Sequence, residues 1–176
     1  MATEIEKDQG GFMTLKNGSI NVKDLTYSYD LFNKILDKVS FQVESSDKVL
    51  LSGPSGSGKS TICKLLYRSL GTYSGNIEFN NTSECDYSLK AIRENILYVG
   101  QNEKLFTGTI RENIECFRPV EEETFKDICK ICRLDSIVSG RPNRFNTVIN
   151  ASLNNLSGGE KQRIILARAL LKKAKI

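Results

Sequence analysis

Gly53-Pro54-Ser55-Gly56-Ser57-Gly58-Lys59-Ser60-Thr61 satisfies the pattern G-x-x-x-x-G-K-[ST]. Its surroundings carry as much weight as its spelling. Val49-Leu50-Leu51, just before it, is a short continuous apolar run of the kind that forms a buried parallel strand. Just after it, Ile62, Leu65, Leu66 and Leu70 recur at helical spacing as far as Gly71, where a helix is expected to stop. A strand that delivers the chain to a glycine-rich loop and then to a helix makes a phosphate cradle. Gly53, Gly56 and Gly58 let successive N–H groups point inward at phosphate oxygens, and the helix N-terminus adds about half a positive charge. Lys59 is placed to reach the β and γ phosphates, and Ser60 offers a hydroxyl to Mg2+, which keeps most of its waters. At average residue usage the pattern arises by chance in roughly one chain of this length in a hundred.

Upstream of the loop, residues 1–18 are polar and aperiodic and read as a linker or flexible arm, so the folded domain is expected to span 19–176. Ile20, Val22 and Leu25 predict one strand, and the alternation of Val39, Phe41 and Val43 with polar neighbours predicts a second, together an antiparallel flank. Downstream, Asn76–Phe79 reads as a strand after the Ser74-Gly75 turn, Ser88–Glu94 as a short helix, and Ile96–Val99 as an apolar strand closed by Gly100-Gln101. A helix is predicted after Pro119, with Glu121-Glu122-Glu123 at the positive end of its dipole and Phe125, Ile128, Ile131, Cys132 and Leu134 on its apolar face. Residues 135–156 read as loop. The last helix starts at Ser157, with Glu160 completing a capping box, and carries Ile164, Ile165, Leu166 and Leu170.

The 176 residues, 39% hydrophobic and 26% charged, suit one globular domain with or without an inserted subdomain. A net charge of +4 is too small and too interspersed to make a surface for nucleic acid. The five cysteines form an odd set that favours reduced thiols, and no segment reaches the ~18 apolar residues of a membrane span, so direct membrane insertion is not expected. The absence of histidine removes the commonest general base and metal ligand. Cys129-x-x-Cys132 has no second pair to complete a metal site, and Lys172, Lys173 and Lys175 read as a solvated helix end.

Leu156-Ser157-Gly158-Gly159-Glu160-Lys161-Gln162-Arg163 places a serine and two glycines at a helix start, a second ready-made anion site. With the phosphate loop it resembles the signature sequence of ABC-type ATPases. The resemblance covers the chain from about residue 19 to its end. It implies an α/β P-loop NTPase core sheet with an antiparallel flank and an inserted helical subdomain over about 102–165. It also implies that ATP and Mg2+ are the cofactors, and that Ser157, Gly158, Gly159 and Glu160 face the ATP of an opposing subunit in a head-to-tail homodimer. Tyr98-Val99-Gly100-Gln101-Asn102-Glu103 is similar to the family's Q-loop, which implies that Gln101 contacts Mg2+ and the attacking water. Leu25-Thr26-Tyr27-Ser28-Tyr29 resembles the aromatic A-loop, with Tyr29 in register to stack on adenine and Tyr27 left as a packed strand residue. Gly53 to Thr61 would bind the phosphates, with Lys59 and Gln101 in the catalytic roles and Ser60 and Gln101 on the metal. Leu105-Phe106-Thr107-Gly108-Thr109-Ile110-Arg111-Glu112-Asn113-Ile114 is similar to a stretch of exporter-type ABC transporters. Taken together, these resemblances imply an ATP-binding domain at the cytoplasmic face of a membrane, joined to a transmembrane domain on the same or a separate polypeptide. The alternative is a nonhydrolysing nucleotide-binding or dimerisation module of the same type. An ABC-type ATPase of DNA repair or translation is disfavoured by the exporter-like stretch.

Two departures from the family pattern stand out. In Thr147-Val148-Ile149-Asn150-Ala151-Ser152-Leu153, Ala151 stands where many exporters place a glutamate. After the Arg168-Ala169-Leu170-Leu171 helix, the family continues into a strand bearing a Mg2+-binding aspartate and a catalytic glutamate and then to a switch histidine, and this sequence holds no Asp or Glu after Glu160. Without the central strand an open, self-associating sheet edge is expected. A chain of these 176 residues is expected to hydrolyse ATP weakly or not at all; a steady-state turnover in the ~1–100 s⁻¹ range of competent phosphotransferases would contradict that.

Overall fold

The computed structural model describes residues 18–30, 33–100, 103–150 and 156–176. They fall into two units, one running to Tyr98 and taking in Ala174–Ile176, the other comprising Val99–Lys173. Residues 1–17 of the expected N-terminal arm lie outside the described residues.

In the first unit, the alternating β-branched and aromatic residues form strands β1 (Ile20–Ser28) and β2 (Lys34–Val43), paired antiparallel as the patterning predicts. The spacing Ile20, Val22, Leu25, Tyr27 breaks its period of two once, and a bulge at Asp24, with φ 51°, absorbs the extra residue so that all four side chains stay buried. Helix α1 (Lys59–Leu66) comes next in the chain, then β3 (Ser74–Phe79) and β4 (Thr82–Ser83), giving a sheet in the order β2-β1-β3-β4. Gly75 crosses the Asp24 bulge at φ 101°, where a Cβ would stand 2.5 Å from the Asp24 carbonyl oxygen and 2.6 Å from that of Lys23. Helix α2 (Leu89–Asn95) is capped by Ser88, whose Oγ accepts the Ala91 N–H at 3.0 Å. Leu25, Leu65, Ile77, Phe79, Tyr87 and Ile92 close the core between the sheet and these helices.

Three expectations for this unit are corrected. Helix α1 stops at Leu66, short of Gly71. Arg68 turns into the left-handed region at φ 49°, where its side chain pairs with the buried Glu84 at 3.0 Å and donates to the Tyr87 carbonyl at 2.9 Å, so a tertiary contact ends the helix. Val49, Leu50 and Leu51 are not a buried strand but are 56%, 87% and 36% exposed. Ile96–Val99 is not a ladder strand either; Leu97 N–H donates to the Ile176 carbonyl at 2.8 Å, and Lys175 and Ile176 N–H to that of Asn95. The reason is common to both runs. A parallel strand exists through its neighbours' hydrogen bonds, and among the described residues no strand lies alongside 49–53.

The second unit contains the short ladder of β5 (Gly108–Thr109) and β6 (Val148–Ile149), with helices α3 (Ile110–Glu115), α4 (Glu122–Ile131), α5 (Asp135–Val138) and α6 (Gly158–Leu171). Helix α3 is not expected from the apolar spacing, although Thr109 and Glu112 form a full capping box at its start. Residues 135–156, expected as loop, contain α5, a 3₁₀ turn at Arg144–Asn146 and β6. Ile131 is exposed rather than core-facing, because at 100° per residue it lies off the buried stripe of Phe125, Ile128, Cys129 and Cys132. On α6 the buried residues are Ile164, Ala167 and Ala169, with Leu166 and Leu170 outward. Cys129 and Cys132 both lie in this core, where burial pushes the Cys129 thiol up to about 12.

Gly75→Ala is expected to cost about 2–3 kcal/mol through backbone strain at the bulge crossing. Urea unfolding of the two chains side by side measures it, and equal midpoints would show that the crossing relaxes.

Candidate functional site

The phosphate-loop motif lies between the first unit's exposed extended segment and α1, and its shape is set from the helix side. Gly58 is the N-cap of α1 in the left-handed conformation, φ 88° and ψ 3°, which only a residue without a Cβ adopts at no steric cost. A Cβ there would also stand 2.6 Å from Leu36 Cδ2 on β2. Because no side chain caps this helix, the amides of its first turn stay available. Ser57 N–H closes a turn onto the Pro54 carbonyl at 3.3 Å. Lys59 folds its ammonium back over that turn, donating to the carbonyls of Gly53 at 2.9 Å and Pro54 at 2.6 Å and to Ser57 Oγ at 3.2 Å. Residues 53–57 are exposed, as is Ser60, whereas Thr61 is buried.

Tyr29, just past the end of β1, stands on the rim of this loop. Its hydroxyl is 3.2 Å from Thr61 Oγ1 and its ring meets that of Tyr27 edge to face, with centroids 5.1 Å apart. Tyr27 itself is buried, as expected for a packed strand residue, and burial raises its phenol above the ordinary value. The structure thus brings Tyr29 to Thr61, in the helix turn that directly follows the loop of Gly53, Pro54, Ser55, Gly56, Ser57, Gly58, Lys59 and Ser60. Gln101 and Ala151 lie outside the described residues. For a metal, the loop offers the Ser60 hydroxyl, and among the described residues no cluster of three His, Cys, Asp or Glu side chains exists. A single hard oxygen donor fits Mg2+, which takes its remaining ligands from phosphate and water, and not an ion that needs an all-protein cage.

The second anion-site candidate heads α6. Ser157 Oγ accepts the Glu160 N–H at 3.3 Å, and the Glu160 carboxylate accepts the Ser157 N–H at 2.7 Å. Arg141 approaches the same carboxylate at 3.4 Å. Gly158 and Gly159 have ordinary helical conformations, and a Cβ on either would meet nothing within 4 Å. Among the described residues nothing demands glycine at these two positions; bare α-carbons leave open the approach to the first-turn amides.

One buried polar residue here lies in the exporter-like stretch but is given no role by it. Asn113 is fully buried on α3, donating from Nδ2 to the carbonyls of Phe106 and Thr109 and accepting at Oδ1 from Phe106 N–H and Arg168. Arg168 of α6 adds bonds to the carbonyls of Asn113 and Lys104. The sequence signal for it is an asparagine set between two inward isoleucines, Ile110 and Ile114, in a short helix.

Comparison with known proteins gives one picture. The family model for the ABC transporter domain matches residues 36–176. The lactococcin-G-processing and transport ATP-binding protein of Lactococcus lactis is 36% identical over 163 residues, 91% of this chain and 23% of that protein. The ATP-dependent lipid A-core flippase of Vibrio cholerae is 36% identical over 180 residues, 100% of this chain and 31% of that protein. The structure of a bacterial Atm1-family ABC exporter with ATP bound aligns with a TM-score of 0.89 at 29% identity, over 96% of this chain and 30% of the other. The mixed α/β architecture is therefore shared with that exporter's ATP-binding region, and the chain spans under a third of the length of these relatives.

The Ser157–Glu160 capping box has a pH signature. The Ser157 amide, foremost, and Arg141 hold the Glu160 carboxyl below its ordinary value. A carboxyl lowered on folding stabilises fully above its unfolded pKa of about 4.3 and loses that contribution as the pH falls through the folded value. The stability gap between the wild type and Glu160→Gln, measured by urea unfolding, is expected to be constant from pH 7 to 5 and to close toward pH 3. A gap unchanged at pH 3 would rule out the ionised cap.

Proposed function

The chain belongs to the ABC transporter family, and from that premise we propose that residues 19–176 form an exporter-type ATP-binding domain that drives transport across a membrane. The observation that supports this most is the loop around Lys59, where an uncapped helix start, a left-handed Gly58 and an ammonium held over the turn together make a polyphosphate cradle. In this reading the amides of residues 53–61 hold the phosphates, Lys59 places its charge on the β and γ groups, and Tyr29 stacks on adenine. Ser60 and Gln101 would hold Mg2+, which when bound neutralises charge on the same two phosphates. Residues of about 102–165 act as the helical subdomain, and residues 1–18 as an arm before the domain.

A second nucleotide-binding domain, in a homodimer arranged head to tail, would receive Ser157, Gly158 and Gly159 over its own ATP, with Glu160 holding the helix start in shape. The open space around both glycines supports this, since an incoming phosphate meets amides and no side chain. The membrane-spanning part belongs to a transmembrane domain on the same or a separate polypeptide, with this domain at the cytoplasmic face. No helix among the described residues is long and apolar enough to cross a membrane.

Thermal unfolding with and without Mg·ATP tests the reading on the chain itself. At 100 times its Kd the ligand is expected to stabilise the wild type by about 2.7 kcal/mol, seen as a higher midpoint, and to leave Lys59→Ala unmoved. A wild-type midpoint that Mg·ATP does not shift would refute it.

A further inference from the structure

Tyr29 is 57% exposed, and an exposed tyrosine at a strand end ordinarily samples several rotamers. This one is held at two points. Its ring abuts the buried Tyr27 at an interplanar angle of 88°, and its hydroxyl lies 3.2 Å from Thr61 Oγ1. Thr61 is itself only 5% exposed and sits in the first turn of α1, two residues beyond Lys59. As a β-branched residue in a helix it is confined to two χ1 rotamers, and the one it holds here sets its hydroxyl against Tyr29. The orientation of the ring is thereby referred to the helix whose N-terminus heads the phosphate loop.

We infer that Thr61 is a positioning residue for base recognition, its side-chain hydroxyl tethering the Tyr29 ring in the plane in which it stacks on a purine. The inference rests on the nucleotide reading above and adds to it a direct link between the base end and the phosphate end of the site. A ring already aligned loses less freedom when a base arrives, so the tether favours ligands that carry a base over bare polyphosphate. It also explains why a tyrosine serves here where stacking alone would be met by phenylalanine.

The test uses the full chain and two probes, Mg·ATP and Mg·tripolyphosphate, with affinities measured by calorimetry. The preference for ATP over tripolyphosphate is expected to fall about three- to tenfold in Tyr29→Phe, the range that the net worth of one hydrogen bond converts to. Thr61→Val should lower it by a similar factor, Thr61→Ser should restore most of it, and the double variant should be no worse than either single one. A merely structural role would weaken both probes alike and leave their ratio unchanged. In the ligand-free chain the same pair should be non-additive in thermal stability, a readout independent of nucleotide. An unchanged ratio in Tyr29→Phe, or strictly additive effects, would overturn the tether while leaving the nucleotide site standing. A wild-type chain that binds neither probe would overturn both.

Discussion

Gly58 brings the start of α1 against β2 more closely than any side chain allows, with room beside Leu36 for a hydrogen and not for a methyl. The phosphate loop is consequently braced by the antiparallel flank as well as by its own helix. Strand β2 holds its place through β1, and β1 through β3, so a sheet that offers phosphate no donor group decides where the donors stand. The same β1 leads directly into Tyr29. Helix α1 is further fixed by Leu65, buried in the same core cluster as Leu36. Tyr29 and the glycine-rich loop thus share one mechanical foundation within the first unit.

The parts of this arrangement that can be read from the chain are those with short-range causes. The glycine and lysine spacing of residues 53–61 and the Ser157–Glu160 box encode backbone geometry within one turn, and the helix start at Lys59 and the capping box both appear as expected. The alternation in β1 and β2 encodes one buried face, and even its irregularity from Val22 to Leu25 is visible in the letters. What the letters do not convey depends on residues far away. Leu70 keeps helical spacing, yet α1 ends early because Arg68 finds Glu84 well down the chain. Val49 to Leu51 have the composition of a core strand, but hydrophobicity describes what a segment tolerates and not what lies beside it. Ile131 is apolar but off the buried stripe of α4, a phase that only the packed helix fixes. Of the site itself, the loop and Tyr29 are legible as motifs, whereas their hydrogen-bonded contact through Thr61 emerges only in three dimensions.

The second unit is organised around a different problem, how to expose a helix start while keeping the helix still. Helix α6 is anchored along its length, at Arg163 to the Arg133 carbonyl and at Arg168 to Asn113, with Ile164 and Ala167 filling the interior between. With its body fixed from within, its N-terminal glycines are free of packing duties. Asn113 performs the corresponding service for the segment before α3, bonding the Phe106 N–H and carbonyl and the Thr109 carbonyl.

The Lys59 ammonium already has three oxygen partners in its own loop. A ligand is not drawn to a bare charge but must exchange with neighbours that hold it well, and the outcome turns on denticity. In the proposed reading, a lone carboxylate or a chloride would offer too little to displace two carbonyls and a hydroxyl, whereas a polyphosphate would bring several oxygens on one backbone and replace them together. On that reading the loop would discriminate among anions by how many hands they bring, before any base is in contact.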